Sequence, residues 1–238
     1  MASRAVNLLL DMGNSSVKWR YASDRGRCGG NDLLPDLREA PANVWVASVA
    51  SSEREAALAA LCEKRWRLTP WFARSEGSAC GVTNSYAEPS RMGVDRWLAM
   101  IAAYAIAADA VCVVDAGSAL TIDHVASNGH HRGGYIIPGR TLMRDALTVG
   151  TARVNVAHTS ATSLQPGTCT QEAVNHGLML AQVGAVAMAI DQVAEPAQLV
   201  FCGGDGAELM RVLGRGGRYI EDLVLDGLER LGGATTQA

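Results

Sequence analysis

Two similar stretches decide the fold of this chain: LLLDMGNSSVK at residues 8–18 and VVDAGSALTID at residues 113–123. Each is an apolar run that ends in Asp-x-Gly with small polar residues, followed by a second segment carrying β-branched residues. This pattern predicts a strand, a tight turn and a second strand. Asp11 and Asp115 lie 104 positions apart in a chain of 238 residues, so the sequence predicts a duplicated domain.

Strand-like and helix-like segments alternate along the rest of the chain, which is typical of the α/β class. We expect strands at 43–50, 68–73, 111–116, 119–125 and 134–137, and a strand, a Gly-Gly turn and a helix within 198–213. We expect further helices at 51–66, 94–107, 139–151, 170–193 and 221–231, with the last seven residues as a frayed tail. The repeat divides the chain into two halves, 1–110 and 111–238.

Composition excludes several classes of protein. The chain is 48% hydrophobic and 19% charged, with 21 basic and 24 acidic residues and a net charge of −3. This balance argues against a disordered chain, and the absence of a basic excess argues against a nucleic-acid binder. The six cysteines form no C-x-x-C pair and the five histidines no H-x-x-x-H pattern, so a zinc enzyme is not expected.

One apolar stretch, 97–114, is long enough to raise the question of a membrane span. It contains Asp109 and ends in the strand-like VCVVD, so a buried helix that runs into a buried strand fits it better. The first residues contain an apolar run too short for a secretory signal. We therefore expect a cytoplasmic protein that does not interact with membranes.

The turn at residues 11–18 carries the first candidate chemistry. Its backbone N–H groups could bind phosphate, Asp11 could hold Mg²⁺ through water, and Lys18, one of only two lysines, could reach a phosphate oxygen. These residues alone fit a hairpin turn with local Asp and Asn hydrogen bonds equally well. The second copy at Asp115 favours the phosphate interpretation. A third glycine-rich turn, FCGGDG at 201–206, follows a strand and precedes a helix, which suits the adenosine side of a nucleotide.

These three turns resemble those of the acetate and sugar kinase, heat-shock chaperone and actin superfamily. More narrowly, the chain resembles type III pantothenate kinases, the Bvg accessory factor family. The matching segments occur in family order, from residue 11 to about residue 230: DMGNSSVK (11–18), NSYAEPSRMGVDRW (84–97), DAGSALTID (115–123), GGYIIPG (133–139), TCTQEAVNHG (168–177) and CGGD (202–205). The resemblance implies duplicated ribonuclease H-like, actin-like domains with mixed sheets flanked by helices, and a nucleotide cleft between the halves.

The resemblance also implies the roles of individual residues. Asp95, in the motif Gly93-Val94-Asp95-Arg96, matches the proton acceptor, and Asp115 matches the ligand of a monovalent cation, K⁺ or NH₄⁺. The implied ATP- and phosphate-binding residues are Asp11, Met12, Gly13, Asn14, Ser15, Ser16, Val17, Lys18 and Ser118. The implied pantothenate-binding residues are Tyr86, Gly93, Val94, Asp95, Arg96 and Thr170. Ser15 and Ser118 stand where the family more often has Thr, which preserves the hydroxyl.

Each of these residues also has a structural interpretation. Asp95 could satisfy free N–H groups at a helix start, with Arg96 packed outward. Tyr86 could be a half-buried packing residue, and Thr170 could be the N-cap of the helix that follows it.

The resemblance implies a homodimeric, ATP- and Mg²⁺-dependent kinase that phosphorylates pantothenate in the first step of coenzyme A synthesis. The alternative from another class is a nucleotide-binding regulatory protein, a transcriptional accessory factor without turnover. A kinase of the same fold with another small alcohol as substrate is a third possibility, against which Tyr86 and Thr170 argue weakly.

Overall fold

The computed structural model describes residues 6–13, 16–29, 32–150 and 163–237. The chain divides into two compact units. Unit 1 is Met1–Ile106 together with Asp222–Ala238, and unit 2 is Ala107–Glu221.

Unit 1 is built on a five-stranded sheet of order β3-β2-β1-β4-β5. Its strands are β1 (Leu8–Met12), β2 (Ser16–Tyr21), β3 (Asp24–Gly29), β4 (Val44–Ser48) and β5 (Trp71–Phe72). Neighbours among β1, β2 and β3 are antiparallel, whereas β4 runs parallel to β1 and β5 parallel to β4. Its other elements are α1 (Ser52–Trp66), the hairpin strands β6 (Ser78–Ala79) and β7 (Val82–Thr83), a 3-10 turn (Pro89–Arg91), α2 (Val94–Ala107) and α6 (Leu223–Gln237).

Unit 2 repeats this sheet, in the order β10-β9-β8-β11-β12. Its strands are β8 (Val111–Ala116), β9 (Ala119–Val125), β10 (His131–Pro138), β11 (Gln198–Cys202) and β12 (Arg218–Tyr219). Its helices are α3 (Arg140–Gly150), α4 (Thr170–Asp191) and α5 (Gly206–Leu213). Here too the first three strands are antiparallel neighbours and the last two are added in parallel. The predicted duplication is confirmed strand by strand.

The central strand of each sheet, β1 or β8, is buried on both faces, which explains its unbroken apolar sequence. Leu8, Leu9 and Leu10 of β1 are at most 3% exposed, as are all residues from Val111 to Val114 of β8. In each strand the carboxylate comes at or next to the carboxyl end, where the chain leaves the core. This is where ligands bind in open α/β sheets.

The C-terminal helix differs from the prediction in two respects. The sequence pattern predicts that this helix ends at residue 231 and lies in the second half of the chain, but α6 runs to Gln237 and belongs to unit 1. The prediction of a frayed tail over the last seven residues is therefore wrong. The helix packs on β1 and β4, and Gly232 lies directly against the ring of Trp45, so Gly232 is a packing position rather than a helix stop. The N-terminal segment of unit 1 ends at Ile106, four residues before the boundary expected at residue 110.

The apolar stretch at 97–114 forms most of α2 and the start of β8, and both are buried as expected. Among the described residues, one helix, α4, is long and apolar enough to cross a membrane by length and composition alone. It packs against α3, α5 and β9. Core helices of soluble proteins pass the same test, so this observation is weak evidence for a membrane span.

Candidate active site

The first Asp turn joins β1 to β2 in unit 1. Asp11 and Lys18 are directly opposite each other in the antiparallel register, and both side chains are half-buried. Met12 and Val17 are fully buried in the core, so only their backbone is available to a ligand. The side chains of Asp11 and Lys18 alternate with these core residues and therefore project from the other face of the sheet.

The tip of this turn is short. The N–H of Gly13 donates to the carbonyl oxygen of Ser16 at 3.1 Å, and Arg27 Nη1 donates to the Ser16 hydroxyl at 3.2 Å. Asn14 and Ser15 lie outside the described residues. The Lys18 ammonium on β2 and the guanidinium of its cross-strand neighbour Arg27 on β3 give this part of the sheet the positive charge that a phosphate needs.

The second Asp turn joins β8 to β9 in unit 2. The Gly117 N–H donates to the carbonyl of Ala119 at 2.9 Å, and the Gly139 N–H donates to the carbonyl of Ser118 at 3.0 Å. Asp115 is half-buried, whereas Ser118 is exposed at the tip.

The CGGD turn packs directly against this second Asp turn. Gly203 has φ +82°, and a Cβ there would overlap Asp115 Oδ1 and the carbonyl of Ala116. The Asp205 N–H donates to that carbonyl at 2.9 Å, and the Tyr219 hydroxyl donates to the Gly203 carbonyl at 3.1 Å. The backbone itself therefore requires glycine at 203. Within unit 2 the structure thus brings together Asp115, Ser118 and the CGGD turn.

Arg140 holds the CGGD turn in place, and it is not among the site residues that the sequence indicates. It is the first residue of α3, is 9% exposed, and donates from Nη2 to Asp205 Oδ1 at 2.7 Å and from Nε to Asp205 Oδ2 at 3.1 Å. Glu208 adds a third contact at 2.6 Å. The hydrogen bonds that Arg140 donates to Asp205 outweigh the effect of burial and raise the pKa of Arg140. A two-point Arg–carboxylate contact fixes both direction and distance, so it holds the CGGD turn to the start of α3.

Asp95 is the second residue of α2 in unit 1, and its carboxylate is held by a very local contact. Oδ1 accepts the N–H of Arg96 at 2.8 Å, and a Cβ at position 93 would come within 2.6 Å of the same oxygen. Glycine at 93 is therefore required for this conformation of Asp95, which remains half-buried. Asp95 therefore accepts a free N–H group at the start of α2, the structural role that the sequence left open. Its carboxylate lies at the positive end of this helix.

Arg96 is buried, not packed outward as the structural interpretation expected. It is 5% exposed, its Nη1 donates to the Tyr86 hydroxyl at 2.9 Å, and its guanidinium carbon lies 5.7 Å from the centre of the Tyr86 ring. Tyr86 is half-buried, and its N–H donates to Asn84 Oδ1 at 3.0 Å. Asp95, Arg96 and Tyr86 thus form one group in unit 1, flanked by Gly93 and the buried Val94.

Thr170 is not the N-cap of its helix. The cap position of α4 is Cys169, and Thr170 is the exposed first helical residue. No group of three or more His, Cys, Asp and Glu side chains that could hold a metal occurs in the described part of the chain.

Comparison with known proteins identifies the family of this chain. The family model described as type III pantothenate kinase matches residues 7–192. A type III pantothenate kinase from Marinobacter nauticus is 35% identical over 237 residues, which cover 95% of this chain and 98% of that protein. This chain belongs to the type III pantothenate kinase family.

Solved structures support the fold. A protein described as a Baf family transcriptional activator from Campylobacter jejuni has a TM-score of 0.67 at 22% identity, covering 97% of this chain and all of that one. A protein described as a 2-dehydro-3-deoxygalactonokinase from Sinorhizobium meliloti has a TM-score of 0.55 at 13% identity, with 96% and 99% covered. The predicted actin-like α/β fold of the type III pantothenate kinase family is thereby confirmed.

Proposed function

We propose that this chain transfers the γ-phosphoryl group of ATP to the primary hydroxyl of pantothenate, giving 4′-phosphopantothenate and ADP as the first step of coenzyme A synthesis. Membership of the type III pantothenate kinase family over residues 7–192 carries this proposal. The Asp turns of both units and the Asp95 group supply the residue types that phosphoryl transfer requires.

The Asp turn of each unit is assigned a role in ATP binding. The polar residues and the backbone of Asp11 to Lys18 contact the phosphates, and Ser118 adds a hydroxyl from the second turn. The cross-strand position of Asp11 and Lys18 supports this role, because a carboxylate for a metal and an ammonium for a phosphate oxygen then lie side by side. The CGGD turn, braced by Arg140, accommodates the adenosine side.

Asp95 is the general base. As the pantothenate oxygen bonds to the γ-phosphorus and the bond to the ADP oxygen breaks, a carboxylate oxygen of Asp95 accepts the hydroxyl proton. The hydrogen bond from the Arg96 N–H supports this role, because it fixes the orientation of the carboxylate. Transfer of the proton late in the reaction suffices, so the alcohol need not ionise beforehand.

Pantothenate is held by residues around Asp95 and by Thr170. The Arg96 guanidinium complements the charge of the pantothenate carboxylate, and its hydrogen bond fixes the Tyr86 ring beside it. Gly93 and Val94 contribute backbone, since Val94 is buried. Thr170 contributes an exposed hydroxyl.

Two cations complete the proposed site. Asp11 suits Mg²⁺, which keeps several waters and needs few carboxylates when phosphates are also ligands. Asp115 suits K⁺ or NH₄⁺, because its Oδ1 and the Ala116 carbonyl oxygen both lie beside Gly203 and oxygen atoms are the ligands that hard cations take. When bound, the cations offset the negative charge of ATP.

We further propose a cytoplasmic homodimer. The exposed face of α4 carries Leu180 and Met188, 55% and 61% exposed, next to Gly177 and Gly184. Small and apolar residues on one helix face allow close packing of a second copy. The net charge of −3 does not suit nucleic acid as a partner.

The test is ATP-dependent phosphorylation of pantothenate, with and without K⁺, in the parent protein and in Asp95→Asn. We expect K⁺-dependent turnover in the parent and a fall in kcat of about 10²-fold or more in the variant, the lower range of a general-base contribution. Asp109→Asn is the matched control, because Asp109 also accepts the N–H of the next residue, at 2.7 Å, outside the proposed site.

Three outcomes of this assay are decisive. Unchanged turnover in Asp95→Asn would remove this residue from the mechanism. ATP binding without turnover in the parent would favour the regulatory alternative. Turnover of another small alcohol in place of pantothenate would favour a different substrate for the same fold.

A further inference from the structure

The buried face of helix α3 consists of two arginines. Arg140 and Arg144 are its only buried residues, at 9% and 8% exposure, and their spacing of four puts them on one side of the helix. A helix that packs on a core ordinarily buries apolar side chains on such a face. Here the buried face is instead positively charged.

The two arginines differ in the groups that balance their positive charge. Arg140 contacts the carboxylates of Asp205 and Glu208. Within the described ranges, the Arg144 guanidinium has no carboxylate partner, and its one side-chain hydrogen bond runs from Nη2 to Asn175 Oδ1 at 3.4 Å. Its Nε is buried without any hydrogen bond.

A buried guanidinium without an anionic partner lowers the stability of a folded protein. Arginine does not lose its proton in proteins, so burial cannot neutralise it as it can a lysine. Arginines are rarely this buried unless they are paired, and a buried charge without a partner is strongly destabilising. A methionine would fill much of the same space without that penalty, so packing alone does not explain Arg144.

We infer that Arg144 is an anion-binding residue that takes a carboxylate or phosphate group of a substrate. The guanidinium presents several N–H donors in a plane, which matches these oxyanions. The Asn175 side chain lies beside it and is itself fixed, because its Nδ2 donates to the Gln171 carbonyl at 2.9 Å.

The identity of the oxyanion rests on the proposed function, because pantothenate carries a carboxylate and ATP carries phosphates. Residues of unit 2 that we assign to each of these ligands lie near Arg144. Arg144 contacts α4, the helix that begins at Thr170, which we propose to contact pantothenate. It also follows Arg140 by one helical turn, and Arg140 braces the proposed adenosine turn.

The experiment compares the full chain with Arg144→Met and Arg144→Lys by isothermal titration calorimetry. Three ligands are titrated separately: pantothenate, Mg²⁺-ATP and inorganic phosphate. Arg215→Met is the matched control, because Arg215 forms a two-point contact with Asp191 in the same unit but on the surface. Thermal unfolding of each ligand-free variant is measured in parallel.

We expect Arg144→Met to weaken at least one ligand tenfold or more, while Arg215→Met leaves all affinities unchanged. Weaker pantothenate binding alone assigns the carboxylate, and weaker ATP binding alone assigns a phosphate. We also expect ligand-free Arg144→Met to melt no lower than the parent, since it removes an unpaired buried charge. Arg144→Lys keeps the charge without the planar donor pair, so we expect intermediate affinity.

Two results would overturn the inference. One is unchanged affinity for all three ligands in the Arg144 variants that fold. The other is a parent protein that binds none of them. Failure of the proposed function is distinguishable, because a parent that binds these anions without phosphorylating pantothenate still tests Arg144 through inorganic phosphate.

Discussion

At the scale of single residues, the contact between Gly93 and Asp95 constrains the proposed general base. The carboxylate oxygen that accepts the Arg96 N–H occupies the space in which a side chain at 93 would begin. The conformation of the proposed catalytic carboxylate thus depends on the absence of a Cβ atom two positions earlier.

We expect Gly93→Ala to lower kcat for pantothenate phosphorylation by about 10- to 10²-fold, because a displacement of about 1 Å at a reacting group has effects of this size. The ATP-side turns are unchanged, so KM for ATP should hold. Gly77→Ala is the control, since the nearest side-chain atom to a Cβ there is Pro89 Cγ at 3.9 Å. Steady-state kinetics measure both variants, and equal kcat values would contradict the proposed role of this contact.

At the scale of elements, close packing at Gly227 and Gly232 holds helix α6 to unit 1. A Cβ on Gly227 would overlap the carbonyl oxygen of Leu98 in α2, and one on Gly232 would meet the ring of Trp45. Arg20 also contacts Asp226 at 2.6 Å and Glu229 at 3.0 Å. These ion pairs are partly exposed, and such pairs contribute about 1 kcal/mol or less, so close packing is the larger effect.

We expect Gly227→Ala to lower the free energy of unfolding by about 1–3 kcal/mol, the usual cost of overpacking. Gly233→Ala in the same helix should instead be neutral or stabilising by up to about 1 kcal/mol, because alanine favours helix and nothing lies within 4 Å of its Cβ. Urea unfolding, monitored separately for each transition if the two units unfold apart, measures both. Equal effects of the two changes would refute this packing account.

At the scale of the whole molecule, the chain begins and ends in unit 1, and unit 2 is one continuous segment between them. The last helix covers β1 and β4, the strands that carry the first Asp turn and its parallel neighbour. Removing it exposes apolar surface on unit 1 without breaking the chain of unit 2.

A chain truncated after Glu221 should therefore lose order in one unit selectively. We expect amide hydrogen exchange to accelerate in β1 and β4 while β8 and β11 stay protected, since their core lies in unit 2. Hydrogen-exchange mass spectrometry resolves these peptides. Uniform loss of protection, or none, would contradict the division into these units.

The sequence by itself determined the class, the duplication and most elements. The strand–Asp–Gly–strand repeat predicted the two β hairpins, and α2 begins and ends where its apolar pattern does. These features are local, because strand and helix periodicity and turn chemistry act over a few residues. The Asp turn at Asp115 was found in the same way, whereas the candidate role of Asp95 was implied only by the resemblance to the type III pantothenate kinase family.

Only the tertiary structure decided which surfaces meet. The sheet that α6 covers, the burial of Arg96 against Tyr86, and the contact between Arg140 and Asp205 join residues that local patterns leave independent. The burial of Arg144 without a carboxylate partner among the described residues also depends on tertiary structure. From sequence alone, an arginine on a helix is expected to be solvated. Long-range packing and charge pairing arise from the whole folded chain, so no short stretch of sequence specifies them.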